Sequence, residues 1–327
     1  MPPYEHTGPI DCDVDFDTAN LKGKTAIVTG GANGIGEAYV RALIGAGAYV
    51  CIGDLDVNNG TKLADEFQEQ ARFVRCNTTN WEDQVHLFET AASLSPTGKV
   101  HYVVANAGII RADDVFAYSG MVKTPLASLE YKLTLLISGD GSSPQKPDLT
   151  TIDVNIRGTL YTTKLATHYF IKQNGQTPSD NQEDTCLILI GSGAAFLDCL
   201  RIPQYSASKW AMRGIMHALR RTAFYYGSRV NVISPWYVKT NILSEEDFEN
   251  VRKLGVEFAL AEDAGQCLLR ILSDTSVNGH SFFISARRWA KRGYIDFDID
   301  DYPGNSLIQE IQEDQMKGAP VEKGLLA

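Results

Sequence analysis

Tyr205 and Lys209 stand four residues apart in "YSASK", and Ser192 lies thirteen residues before the tyrosine. In a helix, positions i and i+4 share a face, so phenol and ammonium would point the same way. Alone, neither is useful near neutrality, because the free groups titrate at about 10 and 10.4. An ammonium beside a phenol favours phenolate, and a base poised nearer neutral pH can take a proton from an alcohol as hydride leaves the same carbon. In reverse, the phenol gives a proton to a carbonyl oxygen. Ser192 would hydrogen-bond that oxygen and hold it about 3 Å from the phenol. Ser206 and Ser208 flank the pair and are expected to project elsewhere, in structural roles.

Such a pair works only beside a bound hydride carrier, and "TGGANGIG" (29–36) is the candidate cradle, with Gly30, Gly31, Gly34 and Gly36. Glycine permits positive φ and close approach of backbone to a ligand. A helix starting near Gly34 offers unpaired N–H groups and a positive dipole end to a pyrophosphate. Asp54, eighteen residues beyond Gly36, falls where a carboxylate accepts bonds from the adenosine ribose hydroxyls. A 2′-phosphate would meet its negative charge, and the loop has no Arg or Lys to attract one. These residues predict NAD rather than NADP. Asp56 is the neighbour most easily mistaken for Asp54.

The elements that must position these groups follow an alternating rhythm. "TAIVTG" (25–30), "YVCIGD" (49–54), "RFVRCN" (72–77) and "VHYVVANAG" (100–108) read as strands, with helical runs at 37–48, 57–70 and 81–94 between them. Strands apolar throughout, alternating with amphipathic helices, predict a parallel sheet covered on both faces. The rhythm breaks at 111–150, which reads as an insertion with a helical or hairpin piece near 125–137. It resumes with a helix from about 150 to 173, a strand at 186–192, a helix at 204–226, a strand at 229–234, a helix at 262–273 and a seventh strand at 280–286. Residues 1–20 read as a flexible leader, 21–290 as one domain, and 291–327 as a peripheral tail.

The chain has 327 residues and a formal net charge of −10, which argues against nucleic acid or an anionic membrane surface as partner. The six cysteines are scattered without a Cys-x-x-Cys pair and there is no histidine cluster, so no metal site is expected. No run reaches the roughly 18 apolar residues of a membrane helix, and no signal-like stretch opens the chain, which together predict a cytoplasmic protein.

The spacing Thr-Gly-x-x-x-Gly-x-Gly resembles the short-chain dehydrogenase/reductase family, and the likeness covers about residues 22–286. "NAG" (106–108), Asn155, Ser192, Tyr205-x-x-x-Lys209 and "PWYVKT" (235–240) follow in the family's order, with Trp236 replacing a glycine. The resemblance implies an α/β fold of Rossmann type, a doubly wound, seven-stranded parallel sheet with helices on both faces. It implies catalysis by Ser192, Tyr205, Lys209 and Asn155, with Lys209 gripping the nicotinamide ribose and Asn155 steadying a proton-relay water. It also implies NAD binding by Gly30, Asn33, Gly34, Ile35, Gly36, Asp54, Asn77, Thr78, Asn106, Ala107, Gly108, Pro235, Val238 and Thr240. Asn77 departs from the acid that usually contacts the adenine amine, although its amide oxygen can still accept a bond. Gly193, Ala194, Phe196, Trp236, Tyr237 and Ile242 should border a mostly apolar pocket. The expected substrate is a lipophilic secondary alcohol or ketone, as for 15-hydroxyprostaglandin dehydrogenase-like members and fungal secondary-metabolite alcohol dehydrogenases. The competing readings are an NADPH-dependent ketone reductase, a sugar-nucleotide epimerase or dehydratase, and a non-catalytic dinucleotide sensor. Val154, Leu160, Tyr161, Leu165, Tyr169 and Phe170, with Trp210, Met212, Met216, Leu219, Phe224 and Tyr225, give two helices more apolar surface than one stripe needs. In the family such helices pair between copies, which predicts a homodimer or homotetramer.

Overall fold

The computed structural model describes residues 3–111, 113–115, 146–240, 242, 244–297 and 304–318. Strands β1 (Thr25–Thr29), β2 (Tyr49–Asp54), β3 (Ala71–Arg75), β4 (Tyr102–Ala105), β5 (Thr185–Ile190), β6 (Ser228–Pro235), β7 (Ser281–Ile284) and β8 (Tyr294–Asp296) form one sheet in the order 3-2-1-4-5-6-7-8. The first seven run parallel. Helices α1 (Gly34–Gly45), α2 (Val57–Phe67) and α3 (Trp81–Leu94) connect the first four strands. A continuous helical stretch follows, made of α4 (Thr150–Ile152), a π-helical segment Asp153–Gly158 and α5 (Thr159–Asn174). Then come α6 (Pro203–Leu219), α7 (Glu245–Lys253), α8 (Ala261–Ser273) and α9 (Ser306–Gly318).

The apolar strands are buried because both sheet faces are covered. Along β1, Ala26 and Val28 face a layer with Tyr39, Leu43 and Leu268, while Ile27 faces the opposite layer with Phe88, Leu165 and Met216. With β1 flanked by β2 and β4, the strand order reverses at β1, and the crevice of a doubly wound sheet opens at the carboxyl ends there.

Four expectations need correction. The sheet has eight strands, because β8 pairs antiparallel with β7 and aligns Phe282 with Asp296 and Ile284 with Tyr294. Three residues are too few to show a period, and the boundary expected at 290 separates this edge strand from its own sheet. The leader is docked: the Ile10 N–H donates to Asp296 at 3.0 Å, Cys12 is buried, and the Tyr4 ring lies 4.3 Å from the Arg220 guanidinium. The helix expected over 204–226 ends at Leu219, followed by a 3-10 turn at Ala223–Tyr226. Finally, Leu165, Phe170, Met212, Met216 and Phe224 are buried within the subunit, whereas Leu160 and Trp210 are about half exposed. The piece expected near 125–137 lies outside the described residues. No described helix is long and apolar enough to cross a membrane.

An ionic cluster closes the sheet's amino end. Glu183 accepts from Lys24 at 2.6 Å, from His101 Nε2 at 3.0 Å and from Lys99. His101 Nδ1 accepts the Thr25 N–H at 3.1 Å, which assigns the ring proton to Nε2 and leaves the ring neutral. The two lysines hold the Glu183 carboxyl at about 2, and burial pushes His101 below its ordinary value. Both shifts mean that the folded chain binds fewer protons than the unfolded chain, so acid destabilises it. The His101 contribution fades as pH falls below 6.5, and that of Glu183 between 4.5 and about 2. Glu183→Gln should remove roughly 2–3 kcal/mol at pH 7 and flatten the acid limb of stability. Urea unfolding at pH 4, 5.5 and 7 checks this, and an unchanged acid slope would contradict it.

Candidate active site

Beyond β1 the chain turns at Gly30, where φ is +63°. A Cβ on Gly36 would lie 2.0 Å from the Gly30 carbonyl oxygen, so α1 starts directly against the loop only because that side chain is absent. Asn106 stitches the turn, its amide donating to the carbonyls of Thr29 at 2.9 Å and Gly30 at 2.8 Å. The Thr29 hydroxyl accepts from the N–H groups of Asn106 and Ala107 at 3.0 and 3.1 Å. The first strand's loop and the fourth strand's "NAG" therefore form one rigid unit. Asp54 ends β2, and its carboxylate accepts from Ala32 N and Asp56 N, each at 3.0 Å. Asp56 instead caps α2 by accepting from Asn59 N, which separates the two acids.

These residues line a cleft of about 810 Å³. Around it stand Gly30, Asn33, Gly34, Ile35, Gly36, Asp54, Asn77, Thr78, Asn106, Ala107, Gly108, Ser192, Gly193, Ala194, Tyr205, Lys209, Pro235, Trp236, Tyr237, Val238, Thr240 and Ile242. The first unpaired turn of α1 opens into it and Thr240 closes over Gly34, a fit to an extended, pyrophosphate-bearing dinucleotide.

Asn77 borders the cleft, and its amide oxygen is engaged within its own loop. Its amide oxygen accepts from the Thr79 N–H at 3.1 Å and the Thr79 hydroxyl at 2.9 Å, closing a turn in its own loop. Phe196 is a further correction, because it lies outside the cleft lining. Its ring packs edge-on against Phe283 and Phe297 and lies 4.8 Å from the Arg213 guanidinium. An apolar loop residue could serve the cleft or another surface, and Phe196 joins a partly exposed aromatic cluster with Phe283 and with Phe297, just beyond β8. Cys199, Ile202, Ile110, Val154 and Phe248 also border the cleft, although no motif marks them.

Ser192 follows β5, and its hydroxyl accepts the Ala194 N–H at 3.2 Å. It also lies close enough to the Tyr205 phenol to ease that group's ionisation. Tyr205 and Lys209 share one face of α6, with the ammonium 5.5 Å from the ring centre. Lys209 Nζ donates to the Ile190 carbonyl at 3.0 Å, and burial pulls its pKa down to about 8. Burial raises the Tyr205 pKa, partly offset by Ser192, and the lysine is not among the causes. The expected depression of the phenol by its ammonium neighbour is therefore not seen, and desolvation sets the direction. Asn155 lies in the π-helical segment, a backbone form frequent at functional sites. Its Oδ1 accepts from Ile109 N at 2.8 Å, and its Nδ2 donates to Ile109 O at 2.9 Å and Ser208 Oγ at 3.0 Å. Ser208 in turn donates to the Tyr205 carbonyl at 2.7 Å, so it braces the tyrosine's own turn. The Trp236 indole donates to Glu257 O at 3.2 Å and stands edge-on to Tyr237 and Trp289.

A family profile described as short chain dehydrogenase matches residues 24–125 and 142–250. The chain belongs to this family. It is 31% identical over 285 residues to 5′-hydroxyaverantin dehydrogenase of Dothistroma septosporum, covering 83% of this chain and 87% of that one. It is 30% identical over 237 residues to an NADP-dependent dehydrogenase of Cochliobolus lunatus, covering 71% and 77%. Its fold resembles 3-ketoacyl-(acyl-carrier-protein) reductase from Brucella melitensis, solved with NADH, at a TM-score of 0.63 and 21% identity over 81% of this chain and 97% of that one. The short chain dehydrogenase is an oxidoreductase built around the cleft described above. Because a Cβ at residue 36 collides with the loop, Gly36→Ala should weaken dinucleotide binding at least tenfold, about 1.4 kcal/mol. NADH fluorescence titration, with circular dichroism to confirm folding, checks this.

Proposed function

We propose that this protein interconverts a lipophilic secondary alcohol and its ketone with NAD(H), using Tyr205 as the acid/base. The observation that carries the reading is the meeting of Ser192, Tyr205 and Lys209 around one cleft. When bound, the dinucleotide supplies the hydride acceptor or donor. The chain's own residues handle the proton. Ser192 holds the substrate oxygen beside the phenol, Tyr205 takes or gives the proton, and Lys209 holds the ribose from a dry pocket. Asn155 steadies the backbone beside Lys209, where its Oδ1 and the ammonium both flank Gly108. The wall of Ala194, Ile202, Trp236, Tyr237 and Phe248 is apolar, which supports an apolar substrate, while Arg111 and Arg157 also border the cleft.

Asp54 supports NAD, since a 2′-phosphate at the end of β2 would face its carboxylate at close range. The NADP-dependent relative from Cochliobolus lunatus favours the second reading, an NADPH-dependent ketone reductase using the same catalytic residues. The kinship with 5′-hydroxyaverantin dehydrogenase supports a place in fungal secondary metabolism. We take 21–296 as the catalytic unit, working in the cytoplasm, with the half-exposed Leu160 and Trp210 as anchors of a homodimer.

With NAD and a panel of lipophilic secondary alcohols, Tyr205→Phe should lower turnover roughly 10²–10⁴-fold and leave NAD affinity nearly intact. Near-normal turnover would refute the role. Because burial raises the phenol's pKa, alcohol oxidation should climb as pH rises above neutrality and ketone reduction should fall. NAD should bind at least tenfold more tightly than NADP, a gap that Asp54→Ala narrows; calorimetry reads both, and equal affinities would favour the NADPH reading. Light scattering tests assembly: Leu160→Asp with Trp210→Asp should give a 35.9 kDa monomer from a larger native species.

A further inference from the structure

Asp113 and Gln204 meet across 91 residues of sequence. One Asp113 carboxylate oxygen accepts the Gln204 backbone N–H at 2.8 Å, and the other accepts the Gln204 side-chain amide at 3.2 Å. The same amide donates to the Asp148 carbonyl at 2.9 Å. Asp113 and Gln204 are 8% and 7% exposed, so these bonds are shielded from water. Gln204 immediately precedes Tyr205 in the first turn of α6.

That first turn has little holding it from within. Pro203 brings no N–H, Ile202 provides no side-chain cap, and there is no acid in the opening turn. A helix start of this kind leaves donors unpaired and a positive dipole end uncompensated. Asp113 supplies both the acceptor and the charge from the loop beyond β4. Asp113 and Asp148 both bind the same glutamine. Lys209, one turn further along, is held separately by the Ile190 carbonyl.

We propose that Asp113 is a positioning residue for Tyr205: it fixes the first turn of α6 against the β4 loop and so sets where the phenol stands relative to Ser192. The proposal rests on the reading of Tyr205 as acid/base. Asp113 touches no reacting atom. Misplacement of a reacting group by about 1 Å can cost about a hundredfold in rate, so a loosened turn would appear in turnover. The glycine loop that cradles the pyrophosphate lies on other elements, so dinucleotide affinity should be largely spared.

The test uses the full-length chain with Asp113→Asn, Asp113→Ala and Gln204→Met. Hydrogen exchange of the peptide spanning 203–209 should speed up roughly tenfold in Asp113→Ala, as expected for a lost helix cap. Turnover with a secondary alcohol should fall roughly tenfold or more, while NADH binding by fluorescence changes little. Asp113→Asn keeps one acceptor and should fall between the native protein and Asp113→Ala. The double variant Asp113→Ala/Gln204→Met should lose little more than its worse parent, because both act through one contact. Unchanged exchange in 203–209, or faster exchange with intact turnover, would overturn the proposal. So would a parallel loss of Tm, NADH affinity and turnover in every variant, which is what a merely structural residue produces. If Asp113→Ala does not fold, Asp113→Asn decides by the same readouts. If Tyr205→Phe keeps its rate, the acid/base reading fails by itself, while exchange in 203–209 still reports whether Asp113 holds the turn.

Discussion

Covering both faces of a parallel sheet leaves only its carboxyl edge open to a ligand, and the arrangement of this molecule depends on that constraint. Gly30, Asn77, Asn106 and Ser192 each stand just beyond a strand end, at β1, β3, β4 and β5, while Asp54 and Pro235 are the last residues of β2 and β6. Distances in sequence therefore become short distances around one cleft. The tightest point is the glycine loop, where α1 passes so near Gly30 that no side chain fits at Gly36. Asn106 holds that approach from the neighbouring strand, so the loop's shape rests on β1 and β4 being adjacent.

The two ends of the sheet use charge differently. At the amino end, Lys24, Lys99 and His101 surround Glu183 with every group partnered, which stabilises the fold across β1, β4 and the segment entering β5. At the carboxyl end, Lys209 is buried and donates to the Ile190 carbonyl, and Tyr205 is pressed toward its neutral form. Burial without full compensation is costly for stability, and it leaves the pair's protonation responsive to whatever approaches. The helix carrying the pair is braced from outside itself, by Asn155 acting on its Ser208 on one side and by Asp113 on the other.

Much of this was readable in the chain because it depends on local pattern. Continuous apolar strands, helical periodicity and a glycine spacing that admits one backbone path led to the doubly wound sheet, the cleft's location and the motif residues that line it. The choice of Asp54 over Asp56 was also readable, since the strand ends at Asp54 and Asp56 begins the next cap. What the pattern could not carry was the partner of each side chain. Phe196 has the same local context whether or not it faces the cleft, and only its edge-on packing against Phe283 and Phe297 takes it away from the cleft. Leu165 and Met212 look like surplus surface on isolated helices, yet the opposite layer of the sheet buries them. Asn77 spends its oxygen on Thr79, and β8 is too short to show any period. The sequence by itself determined the elements, their order and the chemistry available at their ends, because those follow from neighbours along the chain. Tertiary structure alone decided which groups meet, which lose their water and which hold others in place, because a hydrogen bond such as Asp113 to Gln204 joins residues that no local window contains.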